Sequence, residues 1–145
     1  MKILVVHGPN LNLLGSRDPA IYGSLSLECI NHSVMEEGKK LNTFIECFQS
    51  NIEGELIDVI QQKGSLSDGI LINLAGYSHT SVALYDTLCA IKKPTVEVHL
   101  THILQREEWR WHLLTARASC GLICGFGAYS YILGLYALCD ILNKK

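Results

Sequence analysis

Five short apolar runs punctuate the chain: Ile3–Val6, Thr43–Phe48, Ile70–Asn73, Thr95–Val98 and Gly121–Cys124. Several are nearly continuous, the pattern of parallel strands covered on both faces rather than of a half-exposed antiparallel sheet. Between the runs the period lengthens to that of helices. Ile30 and Val34 lie one turn apart in a helix predicted from about Glu28, with Ser24 or Ser26 as its cap. Ile52, Leu56, Ile57 and Ile60 make one face of a second helix, which ends near Lys63 at Gly64. Val82, Leu84 and Leu88 belong to a third, closed before Pro94. A last helix, about Tyr129 to Leu142, is apolar on nearly all sides, which predicts burial, including against another subunit.

Strand and helix alternating in this way predict an α/β domain with a parallel sheet. Five strands fit a flavodoxin-like three-layer sandwich with sheet order 2-1-3-4-5. Neither linker nor repeat divides the chain, so residues 1–145 are expected to form one domain. Ligands of such sheets bind outside the carboxyl ends of the strands. That rule selects four loops: Gly8–Gly23, Gln49–Asn51, Asn73–His79 and His99–Arg110. The first is sixteen residues long, against a median of about 4–6 for compact domains, which marks it as a lid or binding segment.

Composition narrows the field. Apolar residues make up 48% of the 145 and charged residues 18%, so the chain folds around a core. A net charge of −2 gives no footing for nucleic acid or an anionic membrane. Apolar stretches stop short of the roughly 18 residues of a membrane span, and the start, MKILVVHGPN, reads as a buried strand rather than a signal peptide. Six cysteines stand at 29, 47, 89, 120, 124 and 139 without a C-x-x-C pair. They are expected to be buried, reduced thiols of a cytoplasmic protein.

Candidate chemistry falls in the selected loops. The first lacks both G-x-G-x-x-G and G-x-x-x-x-G-K-[ST], which argues against nucleotide binding. In EVHLTH, Glu97 and His99 are two apart on a strand and share a face, so carboxylate and imidazole can lie side by side. Such a pair is either structural or an acid catalyst whose cation the carboxylate supports; His99 and His102 also have the spacing of two metal ligands. In REEWR, Arg106 and Arg110 are expected on one face of a short helix, as a solvated surface with Glu107 and Glu108 or as an anion or hydroxyl binder. Asn73, His79 and Asp86, taken singly, read as turn or capping residues. Arg17 and Tyr22 share the long loop. A free phenol has a pKa of about 10, so a phenolate base at neutral pH needs about 4 kcal/mol of help. One guanidinium about 4 Å away supplies on the order of 4 kcal/mol at an effective dielectric near 20. Arg17 would therefore suffice to activate Tyr22, if the loop brings them together; otherwise Tyr22 packs as an ordinary lid residue.

Taken in order, GPNLNLLGSRDPAIYG, FQSNIEGELID, INLAGYSHTSVAL, EVHLTH, REEWR and GFGAYSY resemble the type II 3-dehydroquinate dehydratases over essentially the whole chain. The resemblance implies a flavodoxin-like fold, a homododecamer built of trimers, and removal of water from 3-dehydroquinate with anti stereochemistry and without metal or cofactor, a step of the shikimate pathway. It implies Tyr22 as the base, Arg17 as its activator, Asn10 as holder of a water that stabilises an enolate, and His99, backed by Glu97, as the acid. Asn73 would orient His99 or the substrate. The substrate carboxylate would meet the backbone N–H groups of Leu100 and Thr101 and the Thr101 hydroxyl. His79 and Arg110 would bind ring hydroxyls, Arg106 would contact the lid, and Asp86 would reach a neighbouring subunit's site. The chain departs from the family pattern at Leu74, Tyr85, His102, Leu104, Gln105 and Leu113, none of which is assigned to chemistry. The alternative is a catalytically weak relative that binds a small molecule.

Overall fold

The computed structural model describes residues 1–16 and 18–144. Five strands, β1 (Lys2–His7), β2 (Phe44–Gln49), β3 (Gly69–Asn73), β4 (Thr95–His99) and β5 (Gly121–Cys124), pair in parallel in the order β2-β1-β3-β4-β5. This is the flavodoxin-like order that five strands are expected to fit. The second strand starts at Phe44, one residue later than expected.

The apolar strands divide their side chains between two cores, because neighbours on a strand point to opposite faces. Ile3, Val5, Leu71, Val96 and Val98 pack beneath α2 (Leu27–Lys40) and α6 (Tyr129–Asn143). Leu4, Val6, Ile70 and Ile72 pack beneath α3 (Glu53–Val59) and α5 (Val82–Ile91). Ser26 caps α2 by accepting the Cys29 amide at 3.2 Å, and Ser81 caps α5 by accepting that of Leu84 at 2.9 Å. Caps of this kind contribute about 1 kcal/mol each. Two four-residue helices, α1 (Pro19–Tyr22) and α4 (Tyr77–Thr80), lie inside the functional loops. The helix after β2 winds differently from its sequence pattern: after Val59 the backbone runs through a π-turn, Ile60–Gly64, and Ile52 is its exposed N-cap rather than part of its buried face.

Two expectations are corrected. All six cysteines are free thiols, but only Cys139 is buried; Cys29, Cys89 and Cys120 are exposed. An apolar run within a helix places residues on the outward flank as well as the inward one, and Cys29 and Cys89 fall there. REEWR is not one helix: short 3-10 turns at Ile103–Gln105 and Glu108–Arg110 are separated by extended backbone at Arg106 and Glu107. The last helix buries one face, including Tyr131, Gly134, Leu135 and Leu138, while Tyr129 and Tyr136 stay exposed. Among the described residues no helix is long and apolar enough to cross a membrane.

Candidate active site

The carboxyl ends of β1, β3 and β4 converge on one hollow, and the backbone there is drawn tight. The Gly8 amide donates to the Asn73 carbonyl at 2.7 Å. A Cβ on Gly8 would lie 2.3 Å from the Leu74 carbonyl oxygen, so only glycine permits this approach. Asn10 follows in the left-handed region, φ 67°, and opens a 3-10 turn over Leu11–Leu13. Its amide donates to Asn51 Oδ1 at 2.9 Å, and Gln49 Nε2 donates to the Gly8 carbonyl and to Asn51 Oδ1, both at 3.2 Å. The loops after β1 and β2 are thereby laced together beneath Asn10.

At the end of β4 the two-residue spacing places Glu97 Oε1 2.7 Å from His99 Nε2, with both side chains buried. The other carboxyl oxygen accepts the Thr115 hydroxyl at 2.6 Å. Both Glu97 oxygens are thus committed, and Nδ1 is the ring nitrogen of His99 left for other work. The His79 ring stacks near that of His99, centroids 6.3 Å apart and planes 21° apart. His79 donates from Nδ1 to the His112 carbonyl at 3.0 Å, which leaves its Nε2 unprotonated when the ring is neutral. Partial burial lowers its pKa, with the His112 carbonyl acting in the opposite sense, so the neutral ring is favoured.

The long loop adds Tyr22 to the lining. Tyr22 ends α1 and is followed by Gly23 at φ 85°, while Gly15, at φ 89°, bends the loop near its middle. Arg106 Nη1 donates to the Tyr22 hydroxyl at 3.0 Å, and its guanidinium carbon lies 5.2 Å from the ring centroid, within cation–π range. Glu107 holds the two arginines, at 3.5 Å from Arg106 Nε and 2.8 Å from Arg110 Nε.

A cavity of about 140 Å³ is lined by Asn10, Tyr22, Asn73, His79 and His99. Leu100, Thr101, Arg106 and Arg110 complete the predicted residues that reach it. Glu97 stands behind His99 and does not reach it. Asp86 is exposed on α5, away from this cavity. Arg17 lies outside the described residues. A larger hollow of about 680 Å³ adjoins the first, shares Tyr22, Thr101 and Arg106 with it, and includes His102. The smaller one is lined by Tyr22, His79 and His99 together. Sequence reasoning missed Thr115 and the bracing by Gln49 and Asn51; Thr115 sits in no motif, and only the fold brings it to Glu97.

Fold and site define a class: an α/β protein of flavodoxin-like order whose titratable side chains gather at the carboxyl end of its sheet. A family model described as Dehydroquinase class II matches residues 1–139. The 3-dehydroquinate dehydratase of Gloeothece citriformis is 55% identical over 143 residues, covering 99% of this chain and 94% of that one. That of Geotalea daltonii is 53% identical over 144 residues, 99% and 100% of the two chains. The crystal structure of type II dehydroquinase from Butyrivibrio crossotus superposes with a TM-score of 0.91 at 40% identity, over 99% of this chain and 97% of that one. The chain belongs to the class II dehydroquinase family and is a hydro-lyase of that family.

Proposed function

We propose that this chain removes water from 3-dehydroquinate to give 3-dehydroshikimate, a step of the shikimate pathway, by an anti elimination through an enolate and without metal or cofactor. One observation carries the reading: Tyr22 with its guanidinium partner and His99 with its carboxyl partner line the same small cavity. An anti elimination calls for a base on one face of the substrate and an acid on the other, both within reach of it.

In the proposed reaction the Tyr22 phenolate takes the proton from the carbon next to the ketone, and the C–H electrons move onto the ketone oxygen. A water held by Asn10 donates to that oxygen, a preorganised oxyanion site. The ketone then re-forms, the new C=C bond closes, and the β-hydroxyl leaves with a proton from protonated His99. Tyr22 finishes protonated and His99 neutral; solvent returns one proton to His99 and accepts one from Tyr22. The Arg106 guanidinium donates to the Tyr22 oxygen at 3.0 Å, and Arg17 is proposed to act on the same oxygen. Glu97 holds the His99 ring in place through its contact with Nε2. Leu100 and Thr101 are proposed to hold the substrate carboxylate, His79 and Arg110 its ring hydroxyls, and Asn73 an oxygen between them. Closure of the loop between Gly15 and Gly23 excludes water and strengthens the guanidinium–phenolate attraction.

The assembly is proposed to be a dodecamer of trimers, in the cytoplasm. Two observations support association with further copies: Asp86 is exposed and does not line its own cavity, and Val82, Trp109, Trp111 and Phe126 leave apolar surface uncovered on one chain. Turnover of 3-dehydroquinate, followed by the enone absorbance of the product, tests the function. Activity in the wild type, with loss in Tyr22→Phe and retained substrate binding, is expected. An inert wild type, or Tyr22→Phe at full rate, overturns it.

A further inference from the structure

Three loops at the carboxyl end of the sheet meet at one residue that stands outside the cavity. Asn51, in the turn after β2, does not line the hollow that Asn10 lines. Its Oδ1 accepts the Asn10 amide, from the loop after β1, at 2.9 Å and Gln49 Nε2 at 3.2 Å. Its carbonyl accepts the hydroxyl of Tyr77, in the loop after β3, at 3.0 Å. The turn that carries Asn51 is fixed in its own right: the Ser50 hydroxyl accepts the Ile52 amide at 2.9 Å and donates to Glu55 Oε2.

Asn10 needs a hold of this kind. Its backbone stands at φ 67°, in the small left-handed region that side chains disfavour. Its carbonyl accepts the Leu13 amide at 3.0 Å, within the turn that it opens. Its own amide is held from a different loop, by Asn51. An asparagine at the start of a helical turn ordinarily spends its side chain on capping that turn. Asn10 makes no such cap bond, so its side-chain amide is left for the cavity. The direction of that side chain is set by a backbone pinned between Leu13 and Asn51. Donor and acceptor chemistry fixes the Asn51 amide in turn. The Asn10 N–H is a donor, and so is Gln49 Nε2, which also donates to the Gly8 carbonyl at 3.2 Å. The Asn51 oxygen must therefore face both, since an NH₂ there would oppose two donors.

We infer that Asn51 is a positioning residue: by accepting the Asn10 backbone amide it aims the Asn10 side chain at the cavity, and so sets where the enolate-stabilising water of the proposed reaction is held. The inference deepens the dehydratase reading and rests on it for what Asn10 does. An oxyanion site works through donors fixed in place before the charge develops. A misplacement of about 1 Å caused away from the chemistry can cost on the order of 10²-fold in rate. Asn51 makes no hydrogen bond to Thr101 or Arg110, the proposed holders of the substrate carboxylate and hydroxyls. Its loss should therefore fall on kcat rather than on KM.

Variants of the intact protein, assayed on 3-dehydroquinate, decide it. Asn51→Leu keeps the branched shape and removes the acceptor. It should lower kcat about tenfold and change KM by less than about twofold. The urea midpoint should stay close to that of the wild type, because Asn51 is exposed and water takes the place of the lost acceptor. Full activity, or a loss confined to KM, overturns the inference. Asn51→Asp keeps an acceptor for both donors and should recover most of kcat in about 0.2 M salt, which screens the added charge; an aspartate variant as slow as the leucine one overturns it. In an Asn10→Gly background, where glycine holds φ 67° without strain but has no side chain to aim, Asn51→Leu should cost less than about twofold more. Losses that multiply overturn the inference, since a purely structural role damages both backgrounds alike. If Asn51→Leu does not fold, Asn51→Ala takes its place. A wild type without turnover would sink the dehydratase reading instead. The Asn10 backbone amide then still reports: hydrogen exchange that is slow in the wild type and in Asn51→Asp but faster in Asn51→Leu supports the hold, and unchanged exchange overturns it.

Discussion

Thr115 Oγ1 donates to Glu97 Oε2 at 2.6 Å, and neither residue is exposed to solvent. The bond leaves Glu97 no freedom to rotate away from His99, whose Nε2 holds the other oxygen. Removing the hydroxyl while keeping the shape, in Thr115→Val, leaves a buried carboxyl oxygen without a donor. The expected cost is about 1–3 kcal/mol of stability, together with a kcat lowered by roughly tenfold because the His99 ring loses its fixed support. Thr115→Ser should restore most of both. Urea unfolding midpoints and steady-state turnover check this; a fully active Thr115→Val would mean that Glu97 needs only its histidine.

Arg106 meets Tyr22 through both hydrogen bond and ring face. Arg106→Met keeps the length of the side chain and removes the cation. On the proposed mechanism kcat should fall by about 10²-fold, on the scale of acid–base catalysis. Arg106→Lys should recover only part, because an ammonium restores charge but not the planar fork that spans oxygen and ring. Equal activity of the three proteins would show that Tyr22 does not depend on Arg106.

How much of this is legible in the chain depends on the range of the interactions. β1 and β3 declare themselves because strands covered on both faces need continuous apolar runs, and the parallel sheet follows from strand–helix alternation, with which the order 2-1-3-4-5 is consistent. The Glu97–His99 contact is legible because it spans two residues of one strand. Thr115 is not: its partner is 18 positions away, and nothing in LLTARAS distinguishes this threonine from a turn residue. His7 closes an apolar strand and looks like its end; that it is buried, and hydrogen bonded to residues of α2 and α6, depends on three elements meeting. The exposure of Cys29 and Cys89 escapes the sequence for a different reason, since an apolar neighbourhood along the chain does not say which flank of a helix turns inward.

Close packing of α6 on the sheet gives a test of the fold independent of the chemistry. A Cβ at Gly134 would stand 2.5 Å from Val98 Cγ1 and 2.7 Å from Leu71 Cδ1. Gly134→Ala should therefore destabilise by about 1–3 kcal/mol from overpacking, less the roughly 1 kcal/mol that alanine gains over glycine within a helix. At Gly54, near the start of α3, a Cβ would meet nothing within 4 Å, so Gly54→Ala should be neutral or stabilising by about 0.5 kcal/mol. Chemical denaturation of the pair measures the contrast, and a Gly134→Ala protein as stable as Gly54→Ala would mean that α6 rides farther from β3 and β4.

His7 also sets how the fold responds to acid. Its folded pKa of about 4 lies below the ordinary 6.5, chiefly because burial disfavours the cation. Between those values the unfolded chain binds a proton that the native chain does not, so stability rises with pH across this window and is lost as pH falls from about 6.5 to about 4. A displacement of this size corresponds to about 3 kcal/mol. Above the window the contribution is fully present; below it no further loss comes from this residue. Replacing the imidazole by a group that does not titrate, in His7→Phe, should flatten the acid side of the stability curve while lowering its plateau, because Tyr131 and Asn31 lose their partner. Urea midpoints measured from pH 4 to pH 8 for both proteins decide the matter: parallel curves would mean that His7 does not govern the acid response.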